Sequence, residues 1–130
     1  MKFEYDVSTK DKEMSYINFV DMILFKLGFR VNTLGTKYLR NIIVYIYMKN
    51  PFDFYIEKEC KSYFEENNIK NINYHSFVQR MDYSIKNVDI NKFKSNFEDI
   101  FRIDYDIYYL SVKNIVMLVL NLLERNSKNI

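Results

Sequence analysis

Apolar residues recur at three- and four-residue intervals along most of this chain, the spacing of helices that each bury one face. Tyr16, Phe19, Val20, Ile23, Leu24 and Leu27 form the first stripe. They predict a helix over 15–27 that ends at Gly28, which is placed for a left-handed cap. After the loop FRVNTL and Gly35 comes a segment rich in isoleucine, valine and tyrosine, a strand-like composition. Its length and its stripe of Leu39, Ile42, Ile43, Ile46 and Tyr47 predict a second helix instead, over 36–49. Asn50-Pro51 breaks the pattern, and Pro51 suits a turn or the first position of the next helix. That third helix, over 52–66, carries Tyr55, Ile56, Cys60, Tyr63 and Phe64 along one side. Polar residues follow, and Asn73 is an N-cap candidate for a fourth helix, YHSFVQRMDYSIKNV, over 74–88. Its inward positions are Val78, Met81, Ile85 and Val88, while Ser76, Gln79, Arg80, Tyr83 and Lys86 face outward. Asp89 or Asn91 caps a short fifth helix with Phe93, Phe97, Ile100 and Phe101 inward. After RIDYDI a sixth helix, over 108–125, contains IVMLVLNLL, apolar around most of its circumference as a central buried helix is.

The expected fold is therefore all-α: a single compact domain of about six helices over 15–125, with an N-terminal extension over 1–14 and a tail over 126–130. Composition agrees. Two glycines and one proline in 130 residues disfavour a β-sandwich or a turn-rich α/β fold. Apolar residues at 48% supply a core and argue against disorder. The longest apolar run, Ile115 to Leu120, is too short to span a membrane, and MKFEYDVSTKDKEM lacks the apolar core of a signal peptide. Cys60 stands alone, so no disulfide framework exists and a buried thiol in a reducing compartment is expected. These features predict a cytoplasmic protein with no membrane partner.

Catalytic chemistry has little to work with. His75 is the one histidine, Cys60 has no CxxC partner, and no Walker lysine, GxGxxG or GxSxG occurs. Neither an enzyme, a metal nor a cofactor is expected. The net charge of +2 is too small to announce nucleic-acid binding, but its distribution is uneven. Residues 26–50 hold Lys26, Arg30, Lys37, Arg40 and Lys49 and no acid. Residues 51–68 hold Asp53, Glu57, Glu59, Glu65 and Glu66 against Lys58 and Lys61.

The third helix, its polar turn and the fourth helix form a candidate helix-turn-helix, an arrangement that lays the second helix in the major groove of DNA. Gln79 and Arg80 are the side chain types that make bidentate contacts with adenine and guanine edges. Ser76, His75 and Lys86 are candidates for the DNA backbone, and Tyr83 completes the outer face.

Several blocks resemble a known family. LGFRVNTLGTKYLRNII (27–43) is similar to the opening of the C-terminal effector domain of the sporulation response regulator, stage zero sporulation protein A. Gly28, Gly35, Tyr38, Leu39 and Arg40 reproduce the family's spacing of two glycines seven apart followed by Tyr-Leu-Arg. SFVQRM (76–81) sits where the family has Ser-Arg-Val-Glu-Arg-Ala in its recognition helix, and the last apolar helix matches in position and character. The resemblance spans roughly 15–125. It implies an all-helical domain that binds promoter DNA through a helix-turn-helix, often as tandem copies. The family attaches this domain to a phosphorylated receiver. None precedes it here, so control is expected from abundance, dimerisation or a partner.

The departures fall on the recognition helix. Ser76, Val78 and Arg80 keep the family's residue types, and Gln79 replaces its glutamate. Phe77 stands where the family has its first arginine, and Asp82, Tyr83 and Ser84 replace an Ile-Arg-His run. The stretch EENNIKNINY also makes the turn about seven residues longer than the family's. Lys37, Arg40, Lys70, Lys86, Lys92 and Lys94 offset the missing charges if they meet phosphates. Two expectations follow. One is a stand-alone regulator of sporulation or stationary-phase genes that binds double-stranded promoter DNA. The other is a receiver-less paralogue that has lost operator reading and acts through protein contacts, as a homodimer or paired with the sporulation regulator, using some of its 12 tyrosines and 11 phenylalanines.

Overall fold

Each of the six apolar stripes becomes the buried side of a helix. The computed structural model describes residues 2–49 and 54–127, with side chains over 9–49 and 54–126. The described residues form α1 (Lys2–Lys26), α2 (Leu34–Lys49), α3 (Ile56–Glu66), α4 (Tyr74–Lys86), α5 (Ile90–Phe101) and α6 (Val112–Ser127), with a 3₁₀ turn at Ile107–Tyr109. No strand occurs among them. No helix among the described residues is long and apolar enough to cross a membrane. The helices enclose one core, so the domain is all-α and compact.

α1 buries Val20, Ile23, Leu24 and Leu27. It starts at Lys2 rather than Ser15, so the expected extension continues the same helix. Residues 10–15 are exposed, and a helix turn that buries nothing leaves no apolar period to read. Gly28 closes α1 at φ +90°, with the Phe29 amide donating to the Leu24 carbonyl at 3.0 Å. The same residue is a packing point. Its carbonyl accepts from the Asp89 amide at 3.0 Å, and a Cβ at Gly28 would lie 2.8 Å from the Asp89 carbonyl oxygen.

α2 is helical despite its β-branched composition because it is surrounded. It packs on α1, α3, α4 and α6 and buries Leu39, Ile42, Ile43, Val44 and Ile46, and this burial outweighs the weak local preference for strand. The expected break at Asn50-Pro51 and the start of a third helix at Phe52 lie outside the described residues. α3 begins at Ile56, and its stripe runs through the fully buried Cys60. Residues 67–73, seven in all, separate α3 from α4, so the connection is shorter than an excess of about seven residues over the family's turn requires. Asn73 caps α4, its side chain accepting from the Ser76 amide at 2.8 Å. Of the two candidate caps for α5, Asp89 fills the role and accepts from the Lys92 amide at 3.2 Å. Phe93, Phe97 and Phe101 then enter the core.

The expected sixth helix is split at its start. Asp106 accepts from the Tyr108 amide and closes the 3₁₀ turn, and the Ser111 hydroxyl accepts from the Asn114 amide at the head of α6. Asn114 is buried and donates its side-chain amide to the Tyr108 carbonyl at 2.8 Å, which ties turn to helix. Beyond it Ile115, Val116, Val119, Leu120 and Leu123 are buried.

Candidate functional site

The most extensive helix pair is α2 with α4, and it sets which face of α4 is free. Gly35 lies in the first turn of α2, and a Cβ there would collide with the Arg80 carbonyl and the Ser84 hydroxyl on α4. The backbones approach so closely that only glycine fits.

The inner row of α4 is Phe77, Met81, Ser84 and Ile85, with Val78 and Val88 half-buried beside it. The expected stripe of Val78, Met81, Ile85 and Val88 is thus half right, and the inner row holds two residues it did not include. Phe77, which the resemblance aligns with a DNA-reading arginine, is 1% exposed. It stacks on Tyr38 at 4.4 Å and meets Phe64 edge-on at 4.9 Å, so it locks α4 to α2 and α3. Ser84, aligned with another basic position, is 5% exposed. Its hydroxyl lies 3.3 Å from that of Thr33, which also bonds the Arg30 carbonyl at 2.8 Å. Both side chains pack inward in this chain, so neither position belongs to the outer surface that would meet DNA.

The outer face gathers most of the sequence-derived candidates. Ser76, Gln79, Arg80 and Tyr83 line one wall of a concavity, and Thr33, Leu34 and Gly35 at the head of α2 form the other. Arg30 and Asn87 extend it. His75 and Lys86 are exposed but outside this concavity, on the ridge that His75, Gln79 and Tyr83 form at four-residue spacing. Tyr83 is 66% exposed, an aromatic at the centre of the ridge. Periodicity identified the α4 residues. It missed Arg30, Thr33 and Leu34, which the sequence marks only through the acid-free stretch over 26–50 and the block LGFRVNTLGTKYLRNII.

Arg30, Lys37, Arg80 and Lys86 are exposed, and none takes part in an ion pair among the described residues. Three other cations are engaged elsewhere. Arg40 is half-buried and pairs with Asp21 of α1 at 3.3 Å. Lys92 lies over the Phe25 ring at 4.1 Å, and Lys94 lies 5.7 Å from the Tyr105 ring centre. The opposite flank of α4 carries mixed charge, Glu57 and Asp82 beside Tyr74 and Lys113 in the adjoining groove. Burial raises the Tyr74 hydroxyl pKa most, and the charges of Cys60, Glu57 and Asp82 raise it further. On that flank Phe54, Tyr55, Tyr74, Val78, Val112 and Met117, with the exposed Lys113, line a largely apolar groove of about 500 Å³, and Tyr55 is 73% exposed.

α4 therefore presents a polar ridge with unpaired cations on its α2 side and a largely apolar margin of mixed charge on its α3 side. No groups of three or more His, Cys, Asp or Glu that could hold a metal occur among the described residues. No family model, no curated protein and no solved structure matches the chain.

Proposed function

We propose that this domain binds double-stranded DNA through the outer face of α4 and acts as a transcriptional regulator. The observation that carries this reading is the exposure of Gln79 and Arg80 side by side on the α2 flank of α4, with Arg30, Lys37 and Lys86 outside any ion pair of the described residues around them. Gln79 and Arg80 would address base edges, and Ser76, His75 and Lys86 would meet the phosphate backbone. Tyr83 would pack against sugar or a base edge. The resemblance to the sporulation regulator's effector domain supports promoter DNA as the target and sporulation or stationary-phase genes as the output. The test is a gel-shift series on promoter fragments with wild type and Arg80→Ala. Salt-dependent binding that weakens at least about tenfold in the variant is expected, the cost of removing one bidentate base interaction. Binding to no fragment, or equal binding by the variant, would sink the reading.

A second reading rests on the apolar groove. Tyr55, Val78 and Met117 line one largely apolar groove beside Lys113 at the α3 edge of α4, with Tyr55 and Met117 exposed, the composition of a protein contact. A paralogue acting by self-association or by pairing with the sporulation regulator would use it. Co-purification with that regulator supports this second reading, and a monomer that ignores it refutes it.

A further inference from the structure

The outer face of α1 is apolar where a solvated helix face is ordinarily polar and charged. The helix packs its core side, Val20, Ile23, Leu24 and Leu27, against α2, α5 and α6. On the other side Asp11, Met14, Ser15, Asn18, Met22 and Phe25 are all exposed. At ~3.6 residues per turn these residues fall within about 100° of arc, directly opposite the core stripe. The face therefore holds three large apolar side chains and a single carboxylate. Lys92 lies over the Phe25 ring at 4.1 Å, and Phe25 is still 56% exposed.

The charges at its two ends select the occupant. Asp11 stands at one end and Lys26 flanks Phe25 at the other, both exposed and neither in an ion pair among the described residues. A second copy laid antiparallel across Asn18 brings Asp11 of each copy beside Lys26 of the other and sets Met14 against Met22 in both halves. A parallel pairing would put Asp11 on Asp11 and Lys26 on Lys26, like charge on like. At the centre the two Asn18 carboxamides meet, each able to donate to the other's oxygen, and a lone asparagine in such a seam fixes its register. The face is self-complementary about a two-fold axis, as an isologous interface requires. We propose that this chain forms an antiparallel homodimer through the outer face of α1, with Met14–Met22 contacts as its apolar part and Asp11–Lys26 ion pairs at its ends. The seam runs about 21 Å from Asp11 to Phe25 and is about 10 Å wide. It covers on the order of 200–400 Å² of each copy, below the ~800 Å² of a standard interface, so the dimer is weak. This face is separate from the concavity on α4 and from the Tyr55–Met117 groove, neither of which includes an α1 residue.

Sedimentation equilibrium of the full chain, without DNA, from about 10 µM to about 1 mM tests this. A mass that rises with concentration from 15.9 kDa towards twice that value is expected. Met22 is exposed, so Met22→Lys keeps the fold, checked by circular dichroism, and weakens the dimer at least about tenfold. Met117→Lys, at an exposed residue of the groove beside α4, leaves the dimer unchanged. Asp11→Lys weakens it about threefold or more, and adding Lys26→Asp to that variant restores it, because opposite charges meet again. A chain that stays monomeric to about 1 mM, a dimer indifferent to Met22→Lys, one that Met117→Lys disrupts equally, or a charge exchange that restores nothing overturns the proposal.

Discussion

The placement of α4 depends on a side chain that is absent. Gly35 lets the head of α2 touch the Arg80 carbonyl and the Ser84 hydroxyl, and Phe77 fills the space beyond against Tyr38 and Phe64. Adding a methyl at Gly35 forces the helices apart. Gly35→Ala is expected to cost about 1–3 kcal/mol or more through overpacking, a lower urea midpoint at unchanged slope. An unchanged midpoint would show that α2 and α4 do not cross this closely. Cys60 makes a second residue-level case. Burial pushes its thiol up to about 12 from an ordinary 9.0. The unfolded chain releases that proton first, so between those values it binds fewer protons than the native state, and stability falls as pH rises. Below about pH 9 the thiol imposes no slope. Tyr63 and Tyr74, raised chiefly by burial from 10.0, act in the same direction at higher pH. Cys60→Ala is expected to flatten the alkaline loss of stability between about pH 9 and 10 in urea melts. An identical profile in the variant would mean the native thiol ionises as freely as the unfolded one.

Caps and stripes decide the elements. Asn73 supplies the one side-chain acceptor seen at the start of α4, so Asn73→Ala is expected to cost about 1 kcal/mol. Faster amide exchange at Ser76 and Phe77, with exchange in α6 unchanged, would locate that loss in the first turn of α4; uniform acceleration across all helices would contradict a local cap. The same cap was legible in the sequence, as were Asp89, Gly28 and much of each helix's buried stripe, because each rests on spacing or on a local backbone requirement, whereas Tyr55, expected on the packed side of the third helix, is exposed at its N-cap. The start of α1 was not legible, since solvated turns such as residues 10–15 carry no apolar period. The α4 candidates Ser76, Gln79, Arg80 and Tyr83 do form one outer group, as their spacing implies. The sequence marks Phe77 and Ser84 only as departures from the family, and their place on the inner row was missed because the apolar stripe was set on Val78, Met81, Ile85 and Val88. Thr33 and Leu34 joined the site through space, from a distant part of the chain where no local pattern reaches.

At the scale of the whole molecule, a net charge of +2 says little, and the arrangement of the cations says more. Among the described residues, Arg30, Lys37, Arg80 and Lys86 lie outside any ion pair around one end of α2 and the outer row of α4, whereas Arg40, Lys49 and Lys61 are paired and Lys92 sits on an aromatic ring. If that first set meets DNA, three phosphate contacts from Arg30, Lys37 and Lys86 give a salt slope of log affinity near about −2.7, at about −0.9 per contact. Arg80→Ala then separates two roles. Should Arg80 read a base, the variant keeps the slope, loses about 1–3 kcal/mol and discriminates less between promoter sequences. Should it hold a phosphate, the slope shrinks by about 0.9 and all sequences weaken together. Fluorescence anisotropy across a salt series on two unrelated promoter fragments distinguishes these cases. A slope near zero for the wild type would exclude the α4 face as a DNA surface and leave the Tyr55–Met117 groove as the feature to pursue.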